Sequence, residues 1–423
     1  MKREMKHSGV AWIGEIPEHW EIERGKNVLV LQKRPVREKD EVITCFRDGE
    51  VILRSLRRTE GFTMSDKEIG YQGINEGDIV IHGMDGFAGA MGVSKSTGKG
   101  SPVLVVCTPK YDAIPEYIIY YLRSLAITDV FVALATGIRE RSCDLRWNKV
   151  SELEFILPTA KEQQKIAEFL DRKCGEIDEM ISLQEKVIEE LKAYKQSIIT
   201  EAVTKGLNPN VAMKDSGIEW IGEIPEHWSK DKIIRSFRMI GSGTTPKSTD
   251  ENNFDGDINW IQSGDINGGV MASCKNRVSN ETIENCSALK VYSAPFIIVA
   301  MYGASVGNTS ISSIDGCVNQ ACCVLSDSAL NFNYAFSVIK SCKDYWLRKA
   351  VGGGQPNISQ ETIKETWIPI PPITEQQAIA DYLDEKCADI DSLIQTKQSK
   401  IDSLKEYKKS IIYEYVTGKK EIL

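Results

Sequence analysis

The sequence predicts a mixed α/β (α+β) fold: two unlike globular domains separated by a pair of long antiparallel coiled-coil helices, arranged as a pseudo-twofold tandem repeat. Three observations carry this expectation. The nine residues Trp12 to Trp20, WIGEIPEHW, return letter for letter at Trp220 to Trp228, 208 positions later. From Lys161 to Thr204 there is no proline and one glycine, and the apolar residues fall at steps of three and four, as a coiled-coil seam requires. The stretches between these features carry short β-like runs and glycine turns, and they do not resemble each other. A repeat at half the chain length signals two copies of one large module and not a solenoid of short units.

Composition narrows the class. At 423 residues there is chain enough for several domains with proper cores. No apolar run approaches the roughly 18 residues of a membrane span, so no membrane partner is expected. The polar start MKREMKHSG lacks the apolar core of a secretory signal, which places the expected location in the cytoplasm. Eleven cysteines form no CxxC pair and only four histidines accompany them, so no metal site is expected. The net charge of −8 is unevenly spread. Residues 25–156 hold 18 basic and 18 acidic residues and residues 229–368 hold 13 of each, so the repeated segments carry all of the surplus acid. The two intervening domains are therefore free to present basic faces.

Taken in order, residues 1–24 form an N-terminal repeat segment. Residues 25–156 follow as a first domain, with strands expected at Val51–Leu53, Ile79–Ile81 and Val103–Val106. A helix is expected from Ile114, because Pro115 suits a first turn. Residues 157–228 hold the first long helix and the second WIGEIPEHW box. In that helix Ile166, Leu170, Ile177, Ile181, Ile188, Leu191 and Ile198 form the seam, with Lys173, Gln184 and Lys195 as polar interruptions. About 44 residues at 1.5 Å each span roughly 65 Å, too long for one compact domain to cover. Residues 229–368 form a second, dissimilar domain, and residues 369–423 a second long helix. Adding 213 to the first seam gives Ile379, Leu383, Ile390, Ile394, Ile401, Leu404 and Ile411, so the two helices pair most simply with each other, and the polar interruptions fix their register.

The box itself reads as structure: Trp12, Ile13, Ile16 and Trp20 staple a turn to a helix end, with Pro17 fixing the bend. Its first copy is expected to pack near Ile411 and its second near Ile198. His19 and His227 have no nucleophile beside them in the motif. Polar and basic residues gather instead where the domains have loops. In the first these are Lys33, Arg34, Arg57, Arg58, Met84, Asp85, Arg139 and Arg141. In the second they are Thr244, Thr245, Lys247, Ser263, Tyr302, Asn319, Gln320, Gly353 and Gln355. Arginine forks a guanine edge or a phosphate, and small hydroxyl and amide residues suit base edges. Gly241 to Lys247 is not a phosphate loop, since the second Gly-Lys-Ser/Thr is missing. No methyltransferase, S-adenosylmethionine or Walker motif is visible.

The paired boxes, Gly-Thr-Thr-Pro-Lys at 243–247 with Trp260, and Gly354 to Ile358 running on to Ile368-Pro369-Ile370-Pro371-Pro372 and Glu375-Gln376-Gln377, resemble the DNA-specificity subunits of type I restriction–modification systems. The resemblance covers nearly the whole chain. It departs at Leu157-Pro158-Thr159-Ala160, where a second proline is missing, and at Arg139–Ser142, which replaces a glycine-rich run. It implies a non-catalytic chain whose domains 25–156 and 229–368 are target-recognition domains, each reading one half of a split asymmetric site in double-stranded DNA. Residues 157–228 become the central conserved region, and residues 1–24 join 369–423 as the distal one. The resemblance further implies two modification subunits that carry S-adenosylmethionine, and restriction subunits that bring ATP and Mg. No cofactor is expected on this chain. Two other readings of the residues stay open: a coiled-coil assembly scaffold without DNA reading, and a single-chain DNA methyltransferase.

Overall fold

The computed structural model describes residues 3–57, 68–128, 130–133, 145–352 and 354–422. They fall into two compact units, Met1–Glu185 with Gln398–Leu423, and Lys186–Lys397. Helix and sheet are mixed in both, as expected.

The first unit opens on the box. Strands β1 (Met5–His7) and β2 (Glu15–Pro17) pair antiparallel, with Lys6 opposite Ile16. Ile13, Ile16 and Trp20 are buried. β3 (Glu21–Arg24) then runs antiparallel to β12 (Glu154–Leu157), a strand at the far end of the domain, with Ile22 opposite Ile156. The chain thus enters and leaves its first globular domain side by side.

Between them lie β4 (Leu29–Leu31), β5 (Ile43–Cys45), β6 (Val51–Leu53), β7 (Gln72–Ile74), β8 (Ile79–His82), β9 (Met91–Val93), β10 (Gly98–Gly100) and β11 (Leu104–Pro109). The main sheet is antiparallel throughout, in the order β4-β11-β8-β9. Side chains alternate across it, as the pleat requires. Ile79, Ile81, Val105 and Cys107 join the core shared with the helix Pro115–Ile127, while Val80, Leu104 and Val106 pack under the β5–β6 hairpin. That helix begins on Pro115 and buries Tyr117, Ile118, Tyr121, Leu122 and Leu125, one face at helical spacing. The three strands and the helix anticipated for this domain are all present.

The second unit repeats the frame. β13 (Met213–Asp215) pairs with β14 (Glu223–Pro225), and β15 (Ser229–Lys232) pairs with the exit strand Trp367–Ile370. Its domain holds β16 (Phe237–Ser242), β17 (Ile258–Ile261), β18 (Val270–Met271), β19 (Arg277–Val278), β20 (Phe296–Ala300), β21 (Thr309–Ser312), β22 (Cys317–Val318) and β23 (Cys322–Ser328). The main sheet runs β16-β23-β20-β21-β18, followed by the helix Phe332–Ser341, which Asn331 caps by accepting the Tyr334 amide at 3.0 Å.

The two domains therefore share one plan. β4-β11-β8-β9 and β16-β23-β20-β21 have the same order and the same antiparallel directions, and the same helix follows. The sequences had shown only difference. A sheet needs alternating buried residues and not particular ones, so topology survives where identity does not.

The long helices are Ala160–Lys205 and Ile373–Val416. Within the first unit they run antiparallel: Phe169 packs against Tyr415 with ring centroids 4.5 Å apart and the planes tilted by 44°, and Asp178 accepts from Lys408 Nζ at 2.7 Å. The equivalent pair in the second unit joins Lys195 to Asp391 at 2.6 Å. Lys195 and its equivalent 213 positions on, Lys408, thus bind across the helix pair, whereas Lys173 turns to Glu176 on its own helix at 2.7 Å. The seam is buried at Ile166, Leu170, Ile177, Ile188, Ile379, Leu383, Ile390, Ile401, Leu404 and Ile411. It departs from expectation at Ile181, Leu191, Ile198 and Ile394, which are half-buried, and beside Ile198 the inner positions go to Ile199, Ala202 and Val203.

Both boxes pack where they were placed. Ile16 and Trp20 share a core with Ile411, Ile412 and Val416, and Ile224 and Trp228 share one with Ile199 and Val203. Tyr117 donates to the carbonyls of Ile156 (2.9 Å) and Val416 (3.2 Å), and Tyr334 to those of Pro369 (2.9 Å) and Val203 (3.4 Å). One hydroxyl in each unit thus ties the globular domain to its exit strand and to a helix end.

Candidate nucleic-acid interface

At the head of each long helix sits a carboxylate ringed by the box. Glu375 accepts from Trp228 Nε1 at 2.9 Å and lies 2.7 Å from His227 Nε2. Glu162 accepts from Trp20 Nε1 at 3.4 Å, from Arg3 at 3.0 Å, and meets His19 Nε2 at 3.0 Å. The two histidines orient a structural carboxylate and have no nucleophile among these partners. Burial alone would raise the Glu162 carboxyl, but the bonds from His19, from the Thr159 hydroxyl and amide, and from Trp20 outweigh it and hold the group below its ordinary value. A lowered carboxyl contributes stability that is fully present above its unfolded value of 4.5 and is lost as pH falls through the folded one. Glu162→Gln is expected to flatten the acid-side loss of stability below about pH 4.5, read as melting temperature against pH. An unchanged acid limb would refute the role.

In the second domain the sequence-predicted residues are brought together. The Thr245 hydroxyl donates to Gln320 Oε1 at 2.6 Å, and the Thr244 carbonyl accepts from Trp260 Nε1 at 3.2 Å. The Asn319 amide donates to the Ile261 carbonyl at 3.0 Å, beside Ser263, and the Met301 amide to the Ala321 carbonyl at 2.8 Å. The Gly303 amide in turn donates to the Pro356 carbonyl at 2.9 Å, next to Gln355. Five loops thus meet at one end of the sheet, with Thr245, Lys247, Tyr302, Gln320 and Gln355 exposed and Thr244, Ser263 and Asn319 half-buried. Gly243 makes the closest approach, its Cα pressed so tightly on the Val318 carbonyl that a Cβ would overlap it. Gly353 lies outside the described residues.

The first domain separates its candidates. Arg34 forms an ion pair with Asp78, whose carboxylate is almost wholly buried, with Nη2 3.1 Å from Oδ1. Asp78 precedes β8, whereas Met84 and Asp85 follow it, so these candidates leave opposite ends of one strand. Arg57 binds Asp48 and Glu50 above the Phe46 ring, 4.2 Å from its centroid. Lys33 and Met84 are exposed. Arg58, Arg139 and Arg141 lie outside the described residues. The Leu145 amide donates to the Gly83 carbonyl at 2.9 Å.

One residue escaped the sequence reading. Arg47, at the tip of the β5–β6 hairpin, reaches Asp85 Oδ1 at 2.9 Å. Its signal was present: Asp48-Gly49 between two β-like runs marks a hairpin turn, which would have placed Arg47 on an exposed tip. Beside it, burial pushes the His82 imidazole below its ordinary value, and Nδ1 accepts the Asp85 amide at 2.9 Å. Among the described residues no histidine, cysteine and carboxylate group is spaced to hold a metal ion, and no helix is long and apolar enough to cross a membrane.

These features define a class: a duplicated helical frame that carries two domains of one topology and of different surface chemistry. The family model for the type I restriction modification DNA specificity domain matches residues 225–415 of this chain. It is similar to two proteins of Methanocaldococcus jannaschii over 96% of its length. One is the predicted type I restriction enzyme MjaX specificity subunit, at 26% identity and 95% of that protein. The other is the type I restriction enzyme MjaVIII specificity subunit, at 23% identity and 93% of that protein. In fold it resembles a chain from a structural study of type I restriction–modification complex assembly, with TM-score 0.70, 16% identity and coverage of 95% of this chain and 98% of that one. It also resembles the HsdS subunit of Thermoanaerobacter tengcongensis, with TM-score 0.52, 17% identity and coverage of 97% and 99%.

Proposed function

We propose that this chain is the sequence-reading subunit of a type I restriction–modification complex. Each globular domain reads one half of a bipartite, asymmetric DNA site, and the paired helices set the distance between the halves. The chain itself has no catalytic role. Two modification subunits dock on the duplicated frame and bring S-adenosylmethionine, and restriction subunits bring ATP and Mg. The observation that carries this reading is the shared sheet topology of two domains with different loop chemistry, each tied to the frame by the same tyrosine and the same box. Such an arrangement suits two unlike half-sites at fixed spacing. Polar loops that meet at a sheet end suit contacts to base edges and phosphates.

The test is the methylome of the host with and without this chain. Deletion is expected to abolish adenine methylation at a two-part motif, and replacing residues 25–156 with another family member's domain is expected to change one half alone. Methylation that persists after deletion, or a swap that alters both halves with folding intact, would overturn the reading.

A further inference from the structure

Arg47, on the β5–β6 hairpin, and Asp85, one of the residues predicted to face DNA in the first domain, form an arginine–carboxylate pair between two loops. Asp85 follows β8 as Tyr302 follows β20, within Met84-Asp85-Gly86 and Met301-Tyr302-Gly303. A short 3₁₀ turn comes next in both, Gly86–Ala88 and Gly303–Ser305. The two residues therefore hold the same place in the shared fold, and in the second domain that place lies among the five loops that meet.

Both partners are held firmly by backbone. The amides of Ala88 and Ala90 donate to the Asp85 carbonyl at 2.9 and 3.2 Å, and the Asp85 amide is fixed by His82. On the hairpin side, the Phe46 amide donates to the Glu50 carbonyl at 2.8 Å and the Gly49 amide to the Phe46 carbonyl at 2.9 Å. Gly89, at φ +88°, lets the tip close on the turn: a Cβ there would stand 2.8 Å from the Arg47 carbonyl oxygen. The side chains are nonetheless open to water, Arg47 at 68% and Asp85 at 36% exposure. An exposed pair of this kind adds little to folding. Facing DNA, an aspartate is repelled by phosphate unless a base amino group and a cation engage it.

We propose that Arg47 and Asp85 together read a G·C base pair in the half-site of the first domain. The guanidinium forks O6 and N7 of guanine in the major groove, and the carboxylate, while orienting Arg47, accepts from the N4 amino group of the paired cytosine. Met84, 59% exposed on the same turn, offers an apolar contact to a neighbouring thymine methyl. Tyr302 lacks this chemistry, so the assignment belongs to the first domain's half-site alone. The inference rests on the function proposed above.

The assembled complex with its modification subunits is titrated, by fluorescence anisotropy, with duplexes carrying the host's methylated motif and with every single base-pair change of it. The wild type is expected to discriminate one G·C position in the first domain's half by about 10- to 100-fold. In Arg47→Ala that ratio collapses toward one while all other positions keep theirs. Arg47→Lys, which retains the charge but not the fork, does the same, and Asp85→Asn relaxes the same base pair. Both side chains are exposed, so melting temperatures stay near wild type. Wild-type ratios at every G·C position in Arg47→Ala, or relaxation confined to an A·T pair, overturn this inference and leave the proposed function standing. Absence of any sequence preference in the wild-type complex instead removes the proposed function.

Discussion

Gly243→Ala is expected to abolish methylation of the bipartite motif while the complex still assembles. The new Cβ would fall on the carbonyl oxygen of Val318, and its next nearest neighbours are the same residue's carbonyl carbon and side chain. Backbone cannot swing aside as a long side chain does. Val318 is held in the parallel β17–β22 pairing opposite Ile261, so the segment 243–247 must move instead. That displaces Thr245 from Gln320 and Thr244 from Trp260, two of the bonds that draw the five loops together. Overpacking of this kind costs about 1–3 kcal/mol, and misplacement of the loop costs the half-site. The matched control is Gly269→Ala in the same domain, whose nearest neighbour, Asn267 Oδ1, stands 3.8 Å away. Methylation lost in Gly243→Ala and retained in Gly269→Ala is the expected result. Retention in both would mean that segment 243–247 has no part in reading.

The second large effect is on folding. Trp228→Ala should lower the stability of the Lys186–Lys397 unit by about 3–5 kcal/mol, the usual loss for a buried aromatic cut to alanine. Trp228 is 1% exposed, its indole donates to Glu375, and its ring closes against Gly206, the residue at φ +76° that ends the first long helix. Alanine leaves a cavity and removes a donor from a carboxylate. Trp228→Phe restores most of the volume and should recover most of the loss, the remainder measuring the hydrogen bond. Urea denaturation followed by circular dichroism reads both. A loss under about 1 kcal/mol would show that the box is a surface element, contrary to its burial. Domains of this size are stable by only about 5–15 kcal/mol, so the predicted loss is a large share of the total.

The candidate site was legible to unequal degrees. In the second domain nearly all of the loop residues chosen from sequence converge, because glycine and small polar residues mark turns and the strands that end in those turns belong to one sheet. In the first domain the same reasoning picked arginines without knowing their partners. Whether Arg34 meets a base or Asp78 depends on a residue 44 positions away, and no local pattern reports it. Arg47 was missed for the converse reason: its neighbour Asp85 comes from another loop, 38 positions on. Side-chain pairing across loops is a property of the packed domain.

What the sequence alone determined was the frame. An exact nine-residue repeat, a 213-residue offset between two seams, and prolines at the helix entries are local or periodic signals. Local propensity and helical period carry them without any knowledge of the third dimension. They were sufficient to place the boxes against the helix ends. Only the tertiary structure decided that the two unlike domains are one fold, because strand order is set by long-range pairing that many unrelated β-forming sequences satisfy. It alone also decided that Lys195 and Lys408 bind Asp391 and Asp178 across the helix pair while Lys173 does not. A heptad places a residue on a seam, but the charge it meets there is chosen by the packed partner.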